Sequence, residues 1–109
     1  MTTAVIDDVF TALADPTRRR LFQTLAGRTA SSATTLASGM PVSRQAVVAH
    51  LAVLERSQLV TSRRAGREVL FSIQPERLIA TASWMTTLAS TWEERMQMLK
   101  RMAEDPTRS

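Results

Sequence analysis

The 109-residue chain has no cysteine, so it can form neither a disulfide nor a thiolate metal site. It has a single histidine, His50, too few for an imidazole zinc cluster. Its three glycines are scattered, and no Gly-rich phosphate loop can be assembled from them. Asp7-Asp8 and Glu93-Glu94 are adjacent pairs that face different directions on a helix rather than carboxylate dyads. The chain is therefore not expected to be an enzyme, and no cofactor and no metal are expected. No stretch approaches the ~18 apolar residues of a membrane span, and the start, Met1-Thr-Thr-Ala-Val-Ile-Asp-Asp, has no basic region followed by an apolar run. A cytoplasmic protein without a membrane partner is the expectation.

Lysine is almost missing too: of 14 basic residues only Lys100 is one. What replaces it is arginine, and the net charge is +4. Residues 1–74 hold nine arginines against five acids, while residues 75–109 hold five basic and five acidic groups, so the excess lies wholly in the first part. A local arginine excess without a lysine run suits a polyanion, although solubility alone accounts for such a charge equally well. The rest of the composition, 44% hydrophobic and 22% charged, is that of an ordinary globular domain.

Four helices are expected before the chain changes character. Val5, Val9, Phe10 and Leu13 recur at helical spacing. Asp15 and Pro16 then form an N-cap and first helical position, followed by the stripe Leu21, Phe22, Leu25 up to Gly27, with Arg18, Arg19 and Arg20 on the exposed side. Ser31 or Ser32 caps a short third helix through Thr35-Leu36-Ala37, which stops at Gly39, read as a left-handed residue. After the turn Met40-Pro41-Val42, Ser43 caps a fourth helix. Its buried positions are Val47, Leu51 and Leu54, leaving Arg44, Gln45, Val48, Ala49 and Ala52 on or near the other side.

From Leu59 the period becomes that of strands. Leu59–Arg63 and Glu68–Ile73 flank Arg64-Ala65-Gly66-Arg67, a β-hairpin with a basic tip. Gln74-Pro75 opens a helix running to about Glu104, and Asp105–Ser109 read as a frayed tail. In that helix Leu78, Ala82, Met85, Ala89, Trp92, Met96, Leu99 and Ala103 alternate at four and three residues, the 3.5-residue period of a coiled-coil seam, widened by Trp84 and Leu88. Little chain remains to cover such a seam, and a second copy is the better account than internal packing. Met85, Met96, Met98 and Met102 near it can fill an uneven core or, as a less favoured use, line a pocket for an apolar ligand.

This order of elements describes a mainly α fold with a small β-hairpin wing, a winged helix-turn-helix. The expected organisation is a single domain over 1–109. It has a DNA-binding core at 4–74, the wing at 59–73, and a dimerisation helix at 75–104. The fourth helix would enter the major groove of double-stranded DNA, with Ser43, Arg44 and Gln45 at its reading end and Val48 and Ala49 against thymine methyl groups. Arg pairs with guanine and Gln with adenine; the bland alternative is a cap and a solvated face. Arg63, Arg64 and Arg67 in the wing would meet phosphates or a minor groove, unless they serve only as edge protection. His50 is kept among the DNA candidates, although its place beside Val47 and Leu51 favours a hydrogen-bonded structural role.

The segments Leu13-Ala-Asp-Pro-Thr-Arg-Arg-Arg-Leu21, Val42-Ser-Arg-Gln-Ala-Val-Val-Ala-His-Leu51, Leu54, Leu59-Val60 and Gly66-Arg-Glu-Val-Leu-Phe-Ser-Ile73 together resemble the ArsR/SmtB family of dimeric repressors over about residues 5–75. The resemblance implies a homodimer joined by its first and last helices, here through Val5, Val9, Leu78, Met85, Leu88, Trp92, Met96 and Leu99. It also implies repression by occluding a promoter. Where some metal-sensing members carry a cysteine pair, this chain has Thr34-Thr35-Leu36-Ala37; where others carry Asp and His ligands, it has Trp84-Met85-Thr86-Thr87-Leu88. It is therefore similar to the metal-independent branch, and a small-molecule inducer is possible but not indicated. A reading from another class is a protein-interaction module whose winged domain no longer binds specific DNA; the basic wing and Arg44 speak against it.

Overall fold

The computed structural model describes residues 3–104, and the expected tail at 105–109 lies outside them. The elements run α1 (Thr3–Leu13), α2 (Pro16–Ala26), β1 (Ser31–Ser32), α3 (Ala33–Ser38), α4 (Arg44–Arg56), β2 (Val60–Ala65), β3 (Glu68–Ile73) and α5 (Glu76–Glu104). The four expected early helices, the wing and the long last helix are all present. The strands form one antiparallel three-stranded sheet in the order β1-β3-β2. The additional strand is β1, in which Ser31 pairs with Phe71 and Ser32 with Leu70.

One core holds this together. Leu21 and Leu25 from α2, Leu36 from α3, Val47, Leu51 and Leu54 from α4, and Leu59 and Val60 at the start of the wing are each 0–1% exposed and pack in one cluster. Burying side chains of this size stabilises by about 1.5–3 kcal/mol each. The stripe expected on α4 is the buried one, so its opposite face is left outward. In α1 the buried positions are Ile6, Val9 and Ala12, whereas Phe10 is 42% exposed. Phe10 meets Trp84 of α5 edge to face, ring centroids 6.1 Å apart, and so ties the first helix to the last.

The caps fall where the sequence puts them. The Asp15 carboxylate accepts from Arg18 N–H at 3.0 Å, with Pro16 opening α2. Ser32 Oγ accepts from Thr35 N–H at 3.2 Å and Ser43 Oγ from Ala46 N–H at 3.1 Å. Gly39 is not left-handed: its φ is −100°. The left-handed helix end lies instead after α4, at Gln58, φ 59°. There Gln58 N–H donates to Glu55 O (3.0 Å) and Leu59 N–H to Leu54 O (2.9 Å), a Schellman motif closed by the apolar pair Leu54 and Leu59. A non-glycine residue there carries a steric penalty between its Cβ and the carbonyl. Gln58→Gly is expected to raise the unfolding free energy by about 0.5–1 kcal/mol, read as a higher urea midpoint with an unchanged slope. A lower midpoint would show that the glutamine side chain contributes more than its backbone conformation costs.

The wing turns through Gly66-Arg67, since Ala65 pairs with Glu68. Gly66 has φ 66° and Arg67 does not share the positive region, the pattern of a II′ hairpin with glycine at the first central position. α5 leaves the core after Thr81, which is 2% exposed and whose hydroxyl donates to Arg77 O at 2.8 Å. From Ala82 to Glu104 every residue is exposed.

Candidate nucleic-acid interface

The reading face is built from the α3–α4 corner. With Val47, Leu51 and Leu54 held at 0% exposure, the 3.6-residue turn puts Gln45, Ala49 and Ala52 on the solvent side, Val48 lies at the flank and Arg44 opens the helix, and all five are exposed. Ser43 is the cap of this helix. Arg44 is not a loose side chain: its Nε donates to Thr34 Oγ1 on α3 at 2.9 Å. The Gln45 side chain makes no hydrogen bond among the described residues, and with Val48 (42% exposed) and Ala49 it leaves a small, even surface beside Arg44. Such a face is unusual on a solvated helix and suits one that enters a groove about 12 Å wide.

The wing stands beside this face. A cleft of about 340 Å³ separates them, with Thr34, Arg44 and Val48 on one wall and Arg67, Glu68 and Val69 on the other. Strand alternation divides the wing arginines. Arg64, paired with Val69, shares the sheet face of Ser62, Phe71, Val60 and Ile73, which is turned towards α4; Ser62 Oγ donates to the Glu55 carboxylate on that helix. Arg63, paired with Leu70, lies on the opposite face. All three arginines of the wing, Arg63, Arg64 and Arg67, are exposed.

His50 is half-buried, and its Nδ1 lies 3.5 Å from Nη1 of Arg18. Arg18 is correspondingly not on the exposed side of α2. Its Nε donates to Ala12 O (2.7 Å) and its Nη2 to Thr11 O (3.3 Å), while Arg19 donates to Leu13 O (2.8 Å) and Ala14 O (3.0 Å). The last carbonyls of α1 have no helical partner of their own, and two guanidinium groups supply one while complementing the negative end of the helix dipole. Asp15 anchors the same junction. The Arg18 backbone N–H holds its carboxyl below the usual range, opposed by burial and helped by the Thr17 N–H and the charges of Arg18 and His50. Sequence periodicity could not show this use of Arg18, because charge alone reads as exposure.

The candidate dimer residues divide in two. Val9 is 1% exposed and belongs to its own protomer's core, so it offers no surface to a partner; the apolar spacing that singled it out is a core stripe. Leu78 is half-buried against that core, and Val5 is half-buried on α1. Met85, Leu88, Trp92, Met96 and Leu99 are 46–63% exposed in a row along α5. The methionines Met85, Met96, Met98 and Met102 are also exposed, at 46–56%, and fill no core within the protomer.

A helix-turn-helix corner with a capped outward helix and an arginine-bearing antiparallel wing beside it defines a winged helix-turn-helix DNA-binding domain. The helix-turn-helix domain family matches residues 13–63. The HTH-type transcriptional regulator Rv2034 of Mycobacterium tuberculosis is 40% identical over 74 residues, 68% of either chain. A transcriptional repressor SmtB homolog of Synechocystis is 44% identical over 66 residues, 61% of this chain and 49% of that one, so this chain spans about half of that relative. Among solved structures, an ArsR-like transcriptional regulator from Rhodococcus sp. RHA1 superposes with a TM-score of 0.81 at 37% identity, covering 94% of this chain and 95% of that one. The chain belongs to the ArsR/SmtB family of winged helix-turn-helix transcriptional regulators.

Proposed function

We propose that the protein is a homodimeric repressor that binds an inverted-repeat operator, α4 of each protomer in a major groove and each wing over the flanking phosphates. The observation that carries this reading is the placement of the outward face of α4 and the arginine wing along one cleft, with Arg44, Val48 and Arg67 all lining it. Repression, here by occlusion of a promoter, is supported by the likeness to the Synechocystis transcriptional repressor homolog. Two-fold pairing through α5, with the exposed parts of α1, is supported by the uncovered row from Met85 to Leu99. A closed two-fold dimer presents its reading helices one helical turn of DNA apart, or a multiple of it. Metal-independent regulation fits a chain with no cysteine and a lone histidine turned to an arginine. A purely protein-binding module has no use for the arginines that line the cleft.

Two classes of variant separate the roles. Arg44→Ala and Gln45→Ala are expected to relax base preference by about 1–3 kcal/mol at one position each. Arg64→Ala and Arg67→Ala are expected to weaken binding to all duplexes alike and to reduce the slope of log K against log salt by about 0.9 for each phosphate no longer neutralised. Titrations of matched and scrambled duplexes at several salt concentrations check both. Equal behaviour of the two classes would refute the division between reading helix and wing.

A further inference from the structure

A guanidinium carries five N–H donors over three nitrogens, so how it is turned decides what it can read. Arg44 is turned by α3: its Nε–H is taken by Thr34 Oγ1 at 2.9 Å, and among the described residues Nη1 and Nη2 make no hydrogen bond. Engaging Nε removes the side edge of the fork, in which Nε and one terminal nitrogen act together. It leaves the end edge, with Nη1 and Nη2 side by side. Thr34 is exposed and is not the cap of its helix, a role filled by Ser32. The cleft that both residues line is apolar at Val48, Val69 and Phe71, with Arg67 and Glu68 of the wing beside one another on its rim.

We propose that Thr34 is a specificity-determining positioning residue: it holds Arg44 so that the two terminal nitrogens face the groove as an end-on fork for O6 and N7 of guanine. This rests on the reading of α4 as the groove helix. Fixing the long side chain before DNA arrives also removes ordering cost from the bound state, so the anchor acts on discrimination rather than on general attraction.

The test compares wild type, Thr34→Val and Thr34→Ser on the operator selected by wild type and on duplexes with each base pair changed in turn. Valine keeps the shape and loses the acceptor; serine keeps the acceptor. Thr34→Val is expected to lower discrimination about tenfold at one guanine of each half-site, within the range of a bidentate contact, with the other positions and the salt slope unchanged. Thr34→Ser is expected to behave as wild type, and Thr34→Val is expected to add nothing to Arg44→Ala. Equal thermal midpoints confirm that the fold is intact. Wild-type discrimination by Thr34→Val, a uniform loss on every duplex, or equal damage by serine and valine would overturn the proposal. Failure of wild type itself to prefer any sequence would reject the groove reading, and that outcome is visible without any Thr34 variant.

Discussion

Trp92→Glu is expected to convert the protein to a monomer at micromolar concentration and to abolish tight operator binding. Trp92 is 63% exposed, in a row with Met85, Leu88, Met96 and Leu99, on a stretch of α5 in which no residue is buried. In a two-fold pair each such substitution enters the interface twice. A buried aromatic anchor contributes about 2–4 kcal/mol at an interface, and replacing it by a charge adds a desolvation cost, so the dissociation constant should rise at least a hundredfold. Folding of the winged domain should survive, because the helix is already exposed from Ala82 onwards. Ser90→Glu is the control: at 100° per residue it sits about 160° round the helix from Trp92, and it should leave the dimer intact. Sedimentation velocity reads both. A Trp92→Glu protein that sediments as a dimer would place the interface elsewhere.

Leu51→Ala is expected to lower the unfolding free energy by about 2–5 kcal/mol, since Leu51 is 0% exposed in the centre of the core and its loss leaves a cavity beneath α4. For a domain of this size that is a large share of a total stability of about 5–15 kcal/mol, with a fall in thermal midpoint on the order of 10–30 °C. Val48, three residues earlier and about 60° round the same helix, sits at the flank of the buried stripe and is 42% exposed, and Val48→Ala should change stability by no more than about 0.5 kcal/mol while altering base preference. Thermal melts and duplex titrations of the two variants would show fold and reading carried by neighbouring residues of one helix that differ in burial. If Val48→Ala proved as destabilising as Leu51→Ala, the outward face of α4 would be part of the packing that holds the fold.

The architecture was legible because its signals are local and strong. Asp15-Pro16 starts α2, Ser43 starts α4, and the apolar spacing of Val47, Leu51 and Leu54 fixes which side of the reading helix is buried. The basic hairpin and the long seam followed from changes of period. What was not legible depends on tertiary contact. β1 is two residues long and has no alternation to detect. Arg18 looks like a solvated charge until its guanidinium is seen on the carbonyls of α1 and against His50. The expected left-handed glycine, Gly39, proves to have ordinary geometry, while Gln58 takes the left-handed position because the Leu54 and Leu59 contact holds the end of α4 there. Val9 and the α5 residues share the same apolar spacing, and only burial separates a core stripe from a surface one. At the candidate interface, the Ser43 cap places Arg44 at the open end of α4 but cannot show that Thr34, ten residues away on another helix, holds it.

Sequence-specific binding by a two-fold dimer is read by selection of bound duplexes from a random pool by the purified protein, at about 0.15 M salt where non-specific attraction is weakened. The expected result is recovery of an inverted repeat whose half-sites are separated by about one turn of DNA or a multiple of it, each containing a guanine whose replacement is the most costly change. Recovery of no shared sequence, or of a single unpaired half-site, would contradict it.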